Sequence, residues 1–133
     1  MKNNSIILIQ EYLKNNQVFK LAKNILKSYH YNKIIIIINN KFEDYKTIFE
    51  KHNDAVFNES SIIVMNDYFF EKHKHISSIY TALEHIDNTG VDICVPLQCL
   101  NSKNEIDPEK IIKIPENKIE EYEMNLLKLL NKK

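Results

Sequence analysis

Glycine occurs once in 133 residues, at Gly90, and arginine and tryptophan do not occur at all. One glycine excludes whole classes of site. Neither a GxxxxGK[ST] phosphate loop nor a GxGxxG dinucleotide turn can be built. A GxSxG nucleophile elbow is missing too. Each of these motifs needs glycine for backbone geometry that other residues resist. Without arginine there is no guanidinium fork for bidentate capture of phosphate or carboxylate. Two cysteines, Cys94 and Cys99, do not make a disulfide framework. No stretch approaches the roughly 20 apolar residues that span a bilayer. The apolar run Ile6 to Ile9 stops at Gln10-Glu11, unlike a secretory signal. Basic and acidic residues balance at 18 each, so no global field points to nucleic acid or a membrane surface. A soluble, cytoplasmic protein with no nucleic-acid or membrane partner is expected.

What is abundant is isoleucine, asparagine and lysine, as the codons of an A/T-rich genome favour, and that bias carries no functional message. The arrangement does carry one. Five consecutive isoleucines, Ile34 to Ile38, lie between two amphipathic segments. A short, all-β-branched run without alternation is the mark of a strand buried on both faces. Strands flanked by helices imply an α/β layer, because parallel strands need helical crossovers. The expected fold is a single three-layer α/β domain over residues 1–133. Its sheet has four or five mostly parallel strands, with Ile34–Ile38 at the centre. A chain of this length buries roughly two thirds of its unfolded surface without staples.

The pattern predicts strands at Ser5–Gln10, Lys33–Asn39, Ser61–Met65 and Val91–Leu97, with Pro96 fraying the last or placing it near an edge. A further short strand is expected around Ile111, Ile112 and Ile114. Helices are predicted over Gln17–Tyr29, Phe42–His52 and Ile76–Ile86, and from Ile119 to the end. In the first, Val18, Leu21, Ala22, Ile25 and Tyr29 share a face, and Lys20, Lys23 and Lys27 form a solvated opposite one. Asp107-Pro108 can open a helical turn, and Gly90 marks the return to the sheet. In the last helix acids come first and Lys128 late, the order that matches the helix dipole.

In open α/β sheets ligands bind beyond the carboxyl ends of the strands. Asn39, Asn40 and Lys41 after the isoleucine strand therefore form one half of a candidate ligand site. Asn66 and Asp67, with Ser77 and Ser78 at the next helix start, form the other. Serine at a helix start caps free N–H groups, and the same position suits an anion, so both readings stand. His73 and His75 with Cys94 and Cys99 match no standard zinc spacing, and no metal site is expected.

The segment order carries a partial resemblance. Ser5 to Ile9 resembles a first strand, and Val18 to Tyr29 the helix before the second. Lys33-Ile-Ile-Ile-Ile-Ile-Asn-Asn-Lys-Phe-Glu-Asp-Tyr-Lys46 looks like a second strand and its following helix. Asn66-Asp67-Tyr68 and His75-Ile-Ser-Ser-Ile-Tyr-Thr-Ala-Leu83 are similar to a third strand's exit and a Ser-Ser helix start. Over about residues 5–98 the chain thus resembles the amino-terminal half of the nucleotide-diphospho-sugar transferase superfamily. That likeness implies Mg²⁺-dependent transfer from a nucleotide-activated small molecule. Two departures oppose it. Glu11 to Gln17 holds no glycine where a phosphate loop belongs. Gln98 stands where the family's metal-binding aspartate would fall, and an amide cannot supply that charge. The expected function is that of a non-enzymatic interaction or regulatory protein, with a protein partner or a small nucleotide-like ligand and no cofactor. A degenerate nucleotide-sugar-binding relative fits within that reading. The alternative is an active nucleotidyltransferase or glycosyltransferase, which would use Mg²⁺.

Overall fold

The computed structural model describes residues 3–38, 62–66, 76–86, 89–103 and 105–131. Strand β1 (Ser5–Ile9) is followed by α1 (Asn15–Ser28), β2 (Ile34–Ile38) and β3 (Ile62–Asn66). Then come α2 (Ile76–Ala82), extended by a 3-10 turn Leu83–His85, and β4 (Val91–Cys94). A short helix α3 (Pro96–Cys99), β5 (Ile112–Ile114) and α4 (Ile119–Leu130) complete the order. The strands form one sheet in the order β3-β2-β1-β4-β5, parallel except for the antiparallel edge strand β5.

The isoleucine run is an interior strand buried along its whole length, as its lack of alternation predicts. The middle place in the order belongs to β1, however, with β2 one position out. Both strands have two covered faces, so burial pattern alone does not separate them. Pleating divides their side chains into two apolar layers. Ile6, Leu8, Ile34, Ile36 and Ile38 pack with Val18, Phe19, Ala22 and Ile25 of α1. Ile7, Ile9, Ile35 and Ile37 pack with Ile79 and Leu83 after β3 and with Leu126 of α4. Each fully buried isoleucine contributes about 1.5–3 kcal/mol before conformational entropy is subtracted.

Local chemistry sets the boundaries. Lys14, at the N-cap of α1, has no acceptor to offer, and the helix is closed from inside by Lys14 N–H donating to Gln17 Oε1 at 2.8 Å. Strand β4 stops at Cys94 instead of running to Leu97, because Pro96 takes the first turn of α3, where its fixed φ suits a helix start. Strand β4 does lie near an edge, between β1 and the edge strand β5. Asp107 accepts from Glu109 N–H and opens the expected turn at Pro108–Lys110. Gly90 has no positive φ. Its need is space: an added Cβ would lie 3.0 Å from the Ile114 carbonyl oxygen and 2.9 Å from Asn4 Oδ1. The predicted helix Phe42–His52 lies outside the described residues. Among the described residues, no helix is long and apolar enough to cross a membrane.

The sheet interior sets the first test. Ile36 is wholly buried between β1 and β3. An unpaired carboxylate there costs several kcal/mol against a typical stability of about 5–15 kcal/mol. Ile36→Asp is therefore expected to remove the cooperative unfolding transition in circular dichroism; a soluble variant with an unchanged melting profile contradicts the assignment.

Candidate functional site

The strand order reverses direction between β1 and β4, whose neighbouring carboxyl ends make the topological switch point of the sheet. Two loops leave from it. The first, after Ile9, is tied off within itself: Leu13 N–H donates to Gln10 O at 3.1 Å, and Gln10 Nε2 donates to Leu13 O at 2.8 Å. Gln10 is wholly buried, and Gln10 N–H also donates to Ile37 O, fastening the turn to β2. Glu11, at φ 49°, occupies the left-handed region that favours glycine, a cost the surrounding bonds sustain. The second loop is α3, which carries Leu97 and Gln98 to the surface. Tyr12 on the first loop is 53% exposed and Leu97 on the second 74%.

Beneath these loops lie Cys94 and Cys99, both buried, unpaired thiols. Burial pushes the Cys94 thiol well up, and Cys99 and the Glu11 carboxyl push it further in the same direction. Cys99 Sγ donates to Lys110 O at 3.3 Å. Held protonated in this way, Cys94 is a poor nucleophile and a poor metal ligand. Among the described residues no group of three His, Cys, Asp or Glu side chains could hold a metal ion.

The residues expected to form the site are only partly brought together. Asn66 ends β3 and pairs with Ile38, so it stands at the carboxyl edge beside the exit of the isoleucine strand. Asn39, Asn40, Lys41 and Asp67 lie outside the described residues, as do His73 and His75. Ser77 and Ser78 lie in the first turn of α2. That helix runs back toward the amino edge, where Lys33 Nζ donates to His85 O at 3.0 Å. Ser78 is buried, and the Ser77 carbonyl accepts from Thr81 Oγ1 inside the helix. Gln98 sits on α3, four residues beyond the end of β4, and no acid occupies Cys94, Val95 or Pro96 at that exit.

Asp92 is the one buried acid on the described strands, and it lies toward the opposite end. It is 8% exposed, pairs in register with Ile6 and Lys113, and accepts from Tyr31 Oη at 2.7 Å through Oδ2. Its Oδ1 is buried with no hydrogen-bond partner among the described residues. Burial first, then the bond and charge of Asp92, raise the Tyr31 phenol well above its ordinary range. This pair joins the α1–β2 loop to β4 across 61 positions of sequence. No local spacing could announce it, and the turn at Glu11 carries no glycine or asparagine to betray its backbone. No family model matches the chain, and none of the curated proteins or solved structures compared with it does.

The Tyr31–Asp92 bond gives a second test. Tyr31→Phe deprives a buried carboxylate of its donor and is expected to cost about 1.5–3 kcal/mol in urea unfolding. Removing both partners, in Tyr31→Phe with Asp92→Leu, should return part of that loss. The raised phenol also sets a sign. Folding retains a proton that the unfolded chain releases above about pH 10, so this contribution is complete below pH 10 and is lost as pH rises beyond it. The alkaline fall in stability should therefore be shallower in Tyr31→Phe than in the parent chain. Equal slopes would remove Tyr31 from the account.

Proposed function

We propose that the chain is a non-catalytic α/β interaction or regulatory protein that works in the cytoplasm, where its two thiols stay reduced. The observation that carries this reading is the make-up of the switch-point edge. Nucleotidyl or glycosyl transfer needs donors or cations around the leaving diphosphate and carboxylates to hold a metal. Here Gln10 and Leu13 close the loop after β1 on itself, Glu11 brings a single carboxyl near Cys94, and Val95 and Pro96 follow β4. In place of a phosphate cradle, the two loops present Tyr12 and Leu97 to solvent. Exposed aromatic and aliphatic side chains on a rigid edge suit the centre of a protein interface.

A second reading is favoured by one specific observation. The order β3-β2-β1-β4 sets Asn66 beside Ile38, on the edge where doubly wound sheets bind nucleotides. It supports a degenerate relative of the nucleotide-diphospho-sugar transferases that binds a nucleotide or nucleotide sugar through Asn39, Asn40, Lys41, Asn66, Asp67, Ser77 and Ser78 without turning it over.

Calorimetric titration with nucleotides and nucleotide sugars, run beside an assay of diphosphate release with Mg²⁺ or Mn²⁺, separates these readings. No turnover is expected. Binding heat without turnover selects the degenerate relative. Silence, with a protein partner recovered by the parent chain and lost in Leu97→Asp, selects the interaction module. Metal-dependent turnover that disappears in Asp67→Asn would make the chain an enzyme and overturn both.

A further inference from the structure

Helix α4 spends one face on the fold and leaves the other in solvent. Leu126 is buried and Tyr122 packs beside it, whereas Met124 is 57% exposed and Leu127 is 42% exposed. At about 100° per residue, Glu120, Met124, Lys128 and Asn131 fall within one sector of about 80°. Every one of them is exposed. Asn117, in the 3-10 turn that leads into the helix, lines the same shallow groove of about 440 Å³ as Glu120, Met124 and Lys128. About Met124 the stripe is symmetric in its amides and opposite in its charges. Asn117 and Asn131 lie seven residues to either side, and Glu120 and Lys128 four residues to either side.

We infer that two copies of this chain pair through the outer face of α4, antiparallel about a two-fold axis at Met124. In that arrangement Glu120 of each copy meets Lys128 of the other, the two Asn117 amides meet the two Asn131 amides, and the methionines meet at the axis. A two-fold contact requires such a self-complementary patch. Amides supply donors and acceptors together, so Asn117 and Asn131 satisfy each other. Exposed ion pairs contribute little apiece and serve mainly to set direction. Met124 and Leu127 supply the apolar contact, and methionine adapts well to such a surface. One helix stripe buries less than a standard interface of about 1,200–2,000 Å², so a weak, reversible dimer is expected. The inference deepens the interaction-protein reading but uses a surface apart from the switch-point edge. Ligand titrations there and sedimentation here therefore fail independently.

Sedimentation of the full chain at low salt, from about 10 µM to about 1 mM, reads the equilibrium directly. The parent chain should shift from monomer to dimer across this range. Glu120→Lys alone and Lys128→Glu alone should each weaken pairing at least about tenfold, because like charges then face each other. An equimolar mixture of these two variants should recover the dimer, since Glu meets Lys again at both ends. Met124→Lys should abolish it with the melting profile unchanged, as the side chain takes no part in the core. A parent chain monomeric throughout, a dimer indifferent to both charge reversals, or a mixture that stays monomeric overturns the inference.

Discussion

Burial of β1 and β2 on both faces is the constraint on which the rest of this structure depends, and it creates a difficulty that polar groups resolve. Five identical side chains in a row carry no information about register. A slip by one or two residues would present the same isoleucines to both layers, whereas in a half-exposed strand it would turn the apolar set to water. Register must therefore be held at the ends. At the amino edge Ile6 N–H donates to Lys33 O, Asn32 N–H to Asn4 O and Ser5 N–H to Gly90 O. Ser5 Oγ and Thr89 Oγ1 meet at 3.2 Å in the buried layer beside them, and Lys33 Nζ reaches His85 O. At the other edge Gln10 N–H holds Ile37 O. The isoleucines supply the driving force, and these polar pegs choose which arrangement it stabilises.

The two edges of the sheet consequently have different work. The amino edge is occupied by groups that fix register, and Tyr31–Asp92 belongs with them: its only described partners are structural, and its place is away from the switch point. The carboxyl edge is the side on which open α/β sheets bind ligands. On that side the loop after β1 is closed without glycine at the expense of a left-handed glutamate, and β4 passes through Val95 into α3, which begins at Pro96. Tyr12 and Leu97 stand exposed on these two turns, while Gln10 and one oxygen of the Glu11 carboxyl are buried within the first.

Among the described residues, the longer helices and the strands are legible in the sequence because their signals are local. The isoleucine run, the stripe of α1 and the charge order of α4 are each contained in one segment. Strand order was not legible, because β1 and β2 show the same buried pattern and only long-range pairing decides which is in the middle. The end of β4 is not legible, because a proline after apolar residues fits a fraying strand and the first residue of a helix equally well, and here it is the latter. For the candidate site, topology put Asn66 beside Ile38 as the strand-end argument requires, but Ser78 turned out buried. The Tyr31–Asp92 pair and the nearness of Tyr12 and Leu97 depend on which segments the fold brings together, and Glu11 takes its left-handed turn without the glycine or asparagine that marks one locally.

Helix α4 shows how one residue pattern can serve two ends. Acids early and lysines late stabilise any exposed helix through its dipole, so that order alone says nothing about a partner. The same order makes every such helix roughly self-complementary when two lie antiparallel, which is again general. What the dipole does not require is an exposed methionine midway between Glu120 and Lys128, matched amides at equal distances beyond them, and Leu127 left in water beside it. The placement of apolar surface at the centre of the charge pattern, rather than the charges, is what distinguishes a pairing face from an ordinary solvated one.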